Sequence, residues 1–183
     1  RILKMFNGII YNTGKVVSIN KSKNSLFIGI LTNIKFSKKD LGSSISCNGV
    51  CLTLVKVLKK KIYFYLSDET LKTSNFNKIK INQIINLEKS LIYGKTISGH
   101  YAQGHVDTVA KVNKITIIDK TWLVKFNIEN KIFSKYLVEK ASISINGVSI
   151  TLSKVKKNYF TINIIPHTLK LTTLRRFKID DTV

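Results

Sequence analysis

Cys51 and Ser149 occupy the same position in the two copies of an internal repeat, and both side chain types act as nucleophiles when a base stands beside them. Residues 44–57 read SISCNGVCLTLVKV, and residues 142–155 read SISINGVSITLSKV. Ten of these fourteen positions are identical, at an offset of 98 residues. A solenoid has units of about 20–50 residues stacked in threes or more, so a long repeat with two copies indicates a duplicated domain. Two similar pockets in one chain suit a reaction that uses two similar molecules.

The histidines make the two copies unequal. All three of them, His100, His105 and His167, lie in the second half of the chain. The first half has Ile9 at the position of His105 and Glu69 at the position of His167. Histidine changes its charge between about pH 5 and 8, which suits it to proton transfer. The two pockets are therefore expected to be alike in shape and unlike in acid–base chemistry. A histidine in a β-protein is also commonly a hydrogen-bonded structural group, and this alternative stays open for His100 and His105.

Short strands separated by turn residues must position these side chains. Alternating apolar and polar residues flank Asn48-Gly49 and Asn146-Gly147, and this pattern is the strongest short signal for a β-hairpin with a type I′ turn. Several short strands in each half predict two small closed barrels, in domains of residues 5–97 and 98–183. The further strands are predicted at Ile9–Ile19, Leu26–Leu31, Ile62–Leu66, Ile84–Glu88, Val106–Ile115, Trp122–Ile128, Tyr159–Ile164 and from near Val183, and short helical turns near Ser37–Leu41 and Lys131–Val138.

The net charge of +21 is large for 183 residues. Of the 31 basic residues 28 are Lys, whereas nucleic-acid sites favour Arg forks and stacked aromatic side chains, so no nucleic-acid partner is expected. No apolar run reaches the ~20 residues that cross a bilayer, and the first residues lack the features of a signal peptide. A cytoplasmic location without a membrane partner is therefore expected. Cys47 and Cys51 alone make neither a disulfide framework nor a good zinc site, so no metal is expected.

Six stretches, taken in order, resemble the alpha-type riboflavin synthase family. The resemblance covers nearly the whole chain from Met5 onward, and that family is itself an internal duplication. The matching stretches are residues 5–10 (MFNGII), 47–53 (CNGVCLT), 69–71 (ETL), 98–107 (SGHYAQGHVD), 145–151 (INGVSIT) and 165–169 (IPHTL).

The resemblance implies an all-β fold of two homologous six-stranded Greek-key β-barrels with short helical turns, assembled as a homotrimer. Each barrel is expected to bind one 6,7-dimethyl-8-ribityllumazine. The implied reaction moves a four-carbon unit from one lumazine to the other and gives riboflavin and 5-amino-6-ribitylaminouracil, with neither a metal nor an organic cofactor. The alternatives are a non-catalytic lumazine- or flavin-binding protein of the same fold and a basic barrel that binds nucleic acid.

The same resemblance implies the site residues. We expect His105 and Ser149 to assist proton transfer or to activate a nucleophile, and Cys51 to support the opposite site. Tyr65 stands where the family commonly has Asp, and the chain stops at Val183 where the family continues through a final strand and a helix. The first pocket is expected to use Cys51, Leu52, Thr53, Tyr65, Leu66, Ser67, Asp68, Glu69 and Thr70; the second to use Gly104, His105, Val106, Lys140, Ser149, Ile150, Thr151, Asn163, Ile164, Ile165, Pro166, His167 and Thr168; and Gly8, Ile9 and Ile10 form a further binding segment.

Overall fold

The first half of the chain forms a closed antiparallel barrel. The computed structural model describes residues 5–183. The first half contains β1 (Asn12–Ser22), β2 (Ser25–Thr32), β3 (Ser44–Cys47), β4 (Val50–Leu58), β5 (Lys61–Ser67), the six-residue helix α1 (Asp68–Thr73) and β6 (Ile84–Lys89). The strands hydrogen-bond in the order β1-β2-β5-β4-β3-β6, and the barrel closes because β6 also pairs with β1.

Alternation along the strands decides which side chains enter the barrel. On β5 the side chains of Ile62, Phe64 and Leu66 are buried, whereas Tyr65 and Ser67 face outward and are exposed. Burying an apolar side chain of this size contributes about 1.5–3 kcal/mol, so a shift of one residue in register would be strongly unfavourable. The barrel interior is therefore filled with side chains, and polar chemistry is left to its outer face.

The second half repeats this architecture. It contains β7 (Ala110–Ile118), β8 (Thr121–Ile128), β9 (Ser142–Ile145), β10 (Val148–Lys156), β11 (Tyr159–Ile164) and the helix α2 (Pro166–Leu171). The strand order β7-β8-β11-β10-β9 matches the first five positions of the closed barrel. Even the β-bulges recur: those at Val16/Ser18 on β1 and Leu54/Lys56 on β4 return at Val112/Lys114 on β7 and Leu152/Lys154 on β10. The predicted all-β duplicated fold is confirmed.

At the position that β6 occupies in the first barrel, the second copy has an isolated bridge. Thr182 pairs with Lys111, which is the counterpart of the pairing of Ile84 with Lys15 in the first barrel. The strand predicted from near Val183 is thus a single bridge in the described residues. Over residues 5–183 the second copy is a five-stranded sheet with this bridge at its edge.

The two predicted hairpin turns are confirmed, and they pack against each other. Asn48 and Gly49 have φ of 46° and 84°, and Asn146 and Gly147 have φ of 46° and 80°. These are the positive values that a type I′ turn requires. A Cβ placed on Gly49 would lie 2.7 Å from the backbone nitrogen of Gly147, so glycine is needed for the two backbones to meet.

Two segments cross between the halves before each barrel begins. We call residues 5–11 the first strap and residues 99–109 the second strap. Ile10 of the first strap is buried in the core of the second half, and Val106 of the second strap packs on the core of the first. The straps are joined by an antiparallel bridge between Phe6 and Ala102. The strands predicted from Ile9 and Val106 therefore begin later, at β1 and β7.

The predicted helical turns near residues 37–41 and 131–138 are present as 3₁₀ helices at Lys38–Asp40 and Lys131–Tyr136. The sequence did not predict α1 or α2. Six residues make fewer than two helical turns, which is too short for an apolar repeat to be recognised. Within residues 5–183, every helix is too short or too polar to cross a bilayer.

Candidate active site

Each strap presents a carbonyl group to the barrel of the opposite half. The Gly8 carbonyl accepts a hydrogen bond from the Ser149 amide at 2.7 Å, and the Gly104 carbonyl accepts one from the Cys51 amide at 2.7 Å. The two bonds are copies of each other under the duplication. Gly104 therefore lies against the first barrel, whereas sequence analysis grouped it with the second pocket.

Glycine is required at both crossing points. Gly8 and Gly104 have φ of 71° and 75°, which L residues rarely adopt. A Cβ on Gly8 would lie 2.8 Å from the Ser149 Cβ, and one on Gly104 would lie 2.8 Å from the Cys51 Cβ. The close approach lets a strap form the wall of a site centred on Ser149 or Cys51.

Ser149 forms a hydrogen-bonded pair with His100. The Ser149 Oγ lies 2.7 Å from the His100 Nδ1. Burial lowers the pKa of the half-buried His100, because desolvation disfavours the charged imidazolium. The ring is then neutral at pH 7, and in the tautomer with a proton on Nε2 the Nδ1 atom accepts the serine proton. The pair has the geometry of a nucleophile or proton carrier with its base.

His105 has a different position from the one expected. Sequence analysis placed His105 in the same pocket as Ser149, whereas the imidazole that reaches Ser149 belongs to His100. His105 is exposed and follows Gly104, the strap residue that contacts Cys51. The spacing of the two histidines gave no indication of which would reach Ser149, because that depends on the path of the strap.

The remaining expected residues divide into outward-facing and core side chains. On the first barrel Thr53 and Tyr65 are exposed, each one residue from the Leu54–Phe64 pair that joins β4 to β5. Ser67 caps α1 by accepting from the Thr70 amide at 3.4 Å, and its Oγ lies 3.2 Å from the Thr70 Oγ1.

The second barrel places its copies equivalently. The side chains of Thr151 and Asn163 are exposed on the outer face, Ile165 lies just before α2, and Pro166, His167 and Thr168 form its first turn. Lys140 is exposed, at a positive φ of 71°. Four expected residues, Ile10, Leu52, Leu66 and Ile164, bury their side chains in the barrel cores and can offer only backbone groups to a ligand. The exposed or half-buried remainder of the expected set comprises Ile9, Cys51, Asp68, Glu69, Val106 and Ile150.

A cavity of ≈ 750 Å³ lies along the second strap and β9. It is lined by His100, Gly104, His105 and Val106, but not by Cys51, Thr53 or Thr151. The exposed members of the expected set on β4, β5, β10 and β11 lie instead on the outer faces of the two barrels. In the part of the chain that the structure describes, no group of three or more His, Cys, Asp or Glu side chains is arranged to hold a metal ion.

Known proteins resemble this chain in both sequence and fold. The family profile described as "Lumazine binding domain" matches residues 7–90 and again residues 103–183. The riboflavin synthase of Photobacterium leiognathi is 36% identical over 98% of this chain and 82% of its own length. That of Buchnera aphidicola subsp. Schizaphis graminum is 33% identical over 98% of this chain and 86% of its own length. A crystal structure of LumP complexed with riboflavin has a TM-score of 0.85 and 25% identity, covering 97% of this chain and 96% of that one.

Proposed function

Because this chain belongs to the riboflavin synthase family, we propose that it converts two molecules of 6,7-dimethyl-8-ribityllumazine into riboflavin and 5-amino-6-ribitylaminouracil. One lumazine gives up a four-carbon unit and the other receives it. The observation that carries the proposal is the pair of equivalent strap contacts, at Ser149 and at Cys51, whose side chains differ. Two similar sites bind the same molecule twice, and unequal side chains assign the two molecules opposite roles.

The Ser149–His100 pair supports proton transfer at the second site. The C7 methyl group of a lumazine is acidic, because the resulting anion is spread over the ring. His100 takes the serine proton at Nδ1, and the serine oxygen then removes a proton from the methyl group or adds to the electrophilic ring. Acid–base assistance of this kind contributes about 10²–10⁴-fold to a rate. We assign His105 to the other site, beside Cys51.

Binding groups are provided by the outer faces of the barrels. Thr53 and Thr151 are copies of one another, as are Thr70 and Thr168, and their hydroxyl groups suit the ribityl chain. Backbone amides and carbonyls at the strand ends suit the alternating donors and acceptors of the pyrimidine-dione edge. The substrate itself supplies the acidic methyl group and the electrophilic ring, so the reaction needs neither a metal nor an organic cofactor.

We further propose that the working unit is a homotrimer in the cytoplasm. The side chains of Tyr65 and Ile165 are 57% and 54% exposed, on faces that must hold two rings against each other. A neighbouring copy would bring its second barrel over the first barrel of this one. Holding two reactants in alignment is worth roughly 7–11 kcal/mol of the barrier. Light scattering tests the assembly, and full activity in a monomer would contradict it.

The function is tested by incubating the protein with 6,7-dimethyl-8-ribityllumazine alone and following absorbance and fluorescence. Riboflavin formation supports the proposal. Tight binding without conversion would instead favour a non-catalytic binding protein, a second candidate that the fold similarity to LumP supports. Ser149→Ala should lower kcat by about 10²-fold or more. Ser153→Ala is the matched control on β10 and should remain close to the parent protein.

A further inference from the structure

The first strap is held in place by a carboxylate that the reaction scheme leaves without a role. Glu88 lies on β6 and is half-buried. Its Oε1 accepts a hydrogen bond from the Asn7 amide at 2.7 Å, and its Oε2 accepts one from the Gly8 amide at 3.0 Å. Both oxygens of one carboxylate thus bind two consecutive backbone amides, which fixes the orientation of that peptide as well as its distance.

The peptide that Glu88 holds is connected directly to the Ser149–His100 pair. The Asn7 carbonyl accepts from the His100 amide at 3.2 Å, and the Asn7 Oδ1 accepts from the Gly99 amide at 2.6 Å. The Gly8 carbonyl accepts from the Ser149 amide at 2.7 Å. The backbones of both members of the pair are therefore bonded to the two residues that Glu88 clamps.

We propose that Glu88 is a positioning residue, which holds the Asn7–Gly8 peptide so that His100 and Ser149 stay in hydrogen-bond contact. The proposal rests on the proposed function for its effect on turnover. Glu88 acts through the strap, because its hydrogen bonds go to the Asn7 and Gly8 amides and not to either side chain of the pair. It belongs to the first barrel, so this contact makes the geometry at Ser149 depend on the opposite half of the chain.

Burial and hydrogen bonding act in opposite directions on Glu88. Burial raises the pKa of Glu88, and the two amide hydrogen bonds oppose that rise. Among residues 5–183 it has no ion pair; the ion pairs found there join Lys72 to Asp68, Lys89 to Asp40 and Lys111 to Glu129. What Glu88 provides here is two acceptors aimed at adjacent amides.

The test compares Glu88→Gln, Glu88→Ala and the control Glu129→Gln in the full chain. Glutamine keeps one acceptor and turns its amide group toward the other N–H, so kcat should fall about tenfold with a smaller change in KM, since only part of the acid–base contribution is lost. Alanine keeps no acceptor and should lower kcat further. Glu129 is exposed at the end of β8, and its variant should match the parent.

Two measurements without substrate separate this proposal from the proposed function. The ¹⁵N signals of the His100 imidazole should shift in both Glu88 variants, as the bond to Ser149 lengthens, and the Asn7 and Gly8 amides should exchange with solvent at least tenfold faster. Both measurements test the positioning role of Glu88 even if the parent protein makes no riboflavin. Where Glu88→Ala does not fold, Glu88→Gln alone decides. A folded Glu88→Gln variant with an unchanged His100 signal, or with kcat within twofold of a catalytically active parent, would overturn the positioning role.

Discussion

Replacing Gly8 with alanine tests whether the strap crossing controls the geometry at Ser149. The new methyl group would meet two obstacles. The first is conformational: a φ of 71° is left-handed, and L residues pay about 1–2 kcal/mol there. The second is steric: the added Cβ would lie 2.8 Å from both the Cβ and the backbone nitrogen of Ser149. Overpacking of this kind costs about 1–3 kcal/mol.

Gly42→Ala is the control that measures the conformational cost of a positive φ alone. Gly42 has a φ of 81°, and a Cβ placed there would have no atom within 4 Å. Gly42→Ala should therefore lower the free energy of unfolding by about 1–2 kcal/mol. Gly8→Ala should lower it by about 2–5 kcal/mol, the sum of both obstacles. At about 2–4 °C per kcal/mol for a chain of this size, the control should lose about 2–8 °C in Tm and Gly8→Ala about 4–20 °C.

The assay is urea denaturation of both variants beside the parent, with riboflavin formation measured below the transition. Gly8→Ala should lose activity even where it is fully folded, because Ser149 and the strap must move apart. Gly42→Ala should keep it. Equal unfolding free energies for the two variants, or a folded Gly8→Ala protein with parental activity, would refute the idea that the crossing sets the site.

Three further predictions concern buried or half-buried groups. Because burial lowers the pKa of His100 below its ordinary value of about 6.5, kcat should be at its maximum at pH 7 and should fall only below about pH 6.5. A kcat that keeps rising above about pH 7.5 would contradict a neutral His100 as the base. Because the pKa of His100 is lower in the folded than in the unfolded state, stability should decrease as the pH falls from the unfolded pKa of about 6.5 toward the folded one. Asn86→Ala should lower the unfolding free energy by about 2–4 kcal/mol in urea titrations. The reason is that the fully buried Asn86 side chain donates to the Asn146 carbonyl at 2.9 Å and accepts from the Thr173 amide at 2.8 Å. A loss below about 0.5 kcal/mol would show that the contact between the two halves does not depend on Asn86. Burial raises the pKa of the Cys47 thiol well above its usual value, so a thiol reagent should modify Cys51 in the native protein and Cys47 only in urea; equal rates would contradict this order.

The barrel strands could be predicted from the sequence because their signals are local. An Asn-Gly pair between alternating runs specifies a type I′ hairpin wherever it occurs, and both such pairs form one. Alternation also separates core from surface, which is why Ile62, Phe64 and Leu66 lie inside. The same signal cannot say which core a residue enters. Ile10 and Val106 alternate like strand residues, yet each packs on the barrel of the other half.

The candidate site could be predicted only in part, because local sequence signals do not indicate which barrel a strap residue contacts. The duplicated sequence identifies Cys51 and Ser149 as equivalent, and the structure gives them equivalent strap contacts. The partner of Ser149 depends on the three-dimensional path of residues 99–109, on which periodicity carries no information. The sequence predicted a catalytic role for His105 and left His100 without one, and the structure places the His100 imidazole at Ser149. One usable signal was present: Ser98-Gly99-His100 lies at the start of the segment between the barrels, where a chain must cross from one to the other.

The second strap explains how one duplicated chain acquires two unequal sites. His100 lies at Ser149 of the second barrel, and Gly104 lies at Cys51 of the first, with only three residues between them. Four residue steps of extended chain span at most about 14 Å, so one short segment serves both sites. The equal parts, Gly8 and Gly104, come from the duplication and let each strap approach its barrel. The unequal part is the segment from His100 to His105, which brings the His100 imidazole to the serine and places His105 directly after Gly104, the residue whose carbonyl contacts Cys51. A change in this strap should therefore affect both sites at once, whereas a change in β4 or β10 should affect only its own.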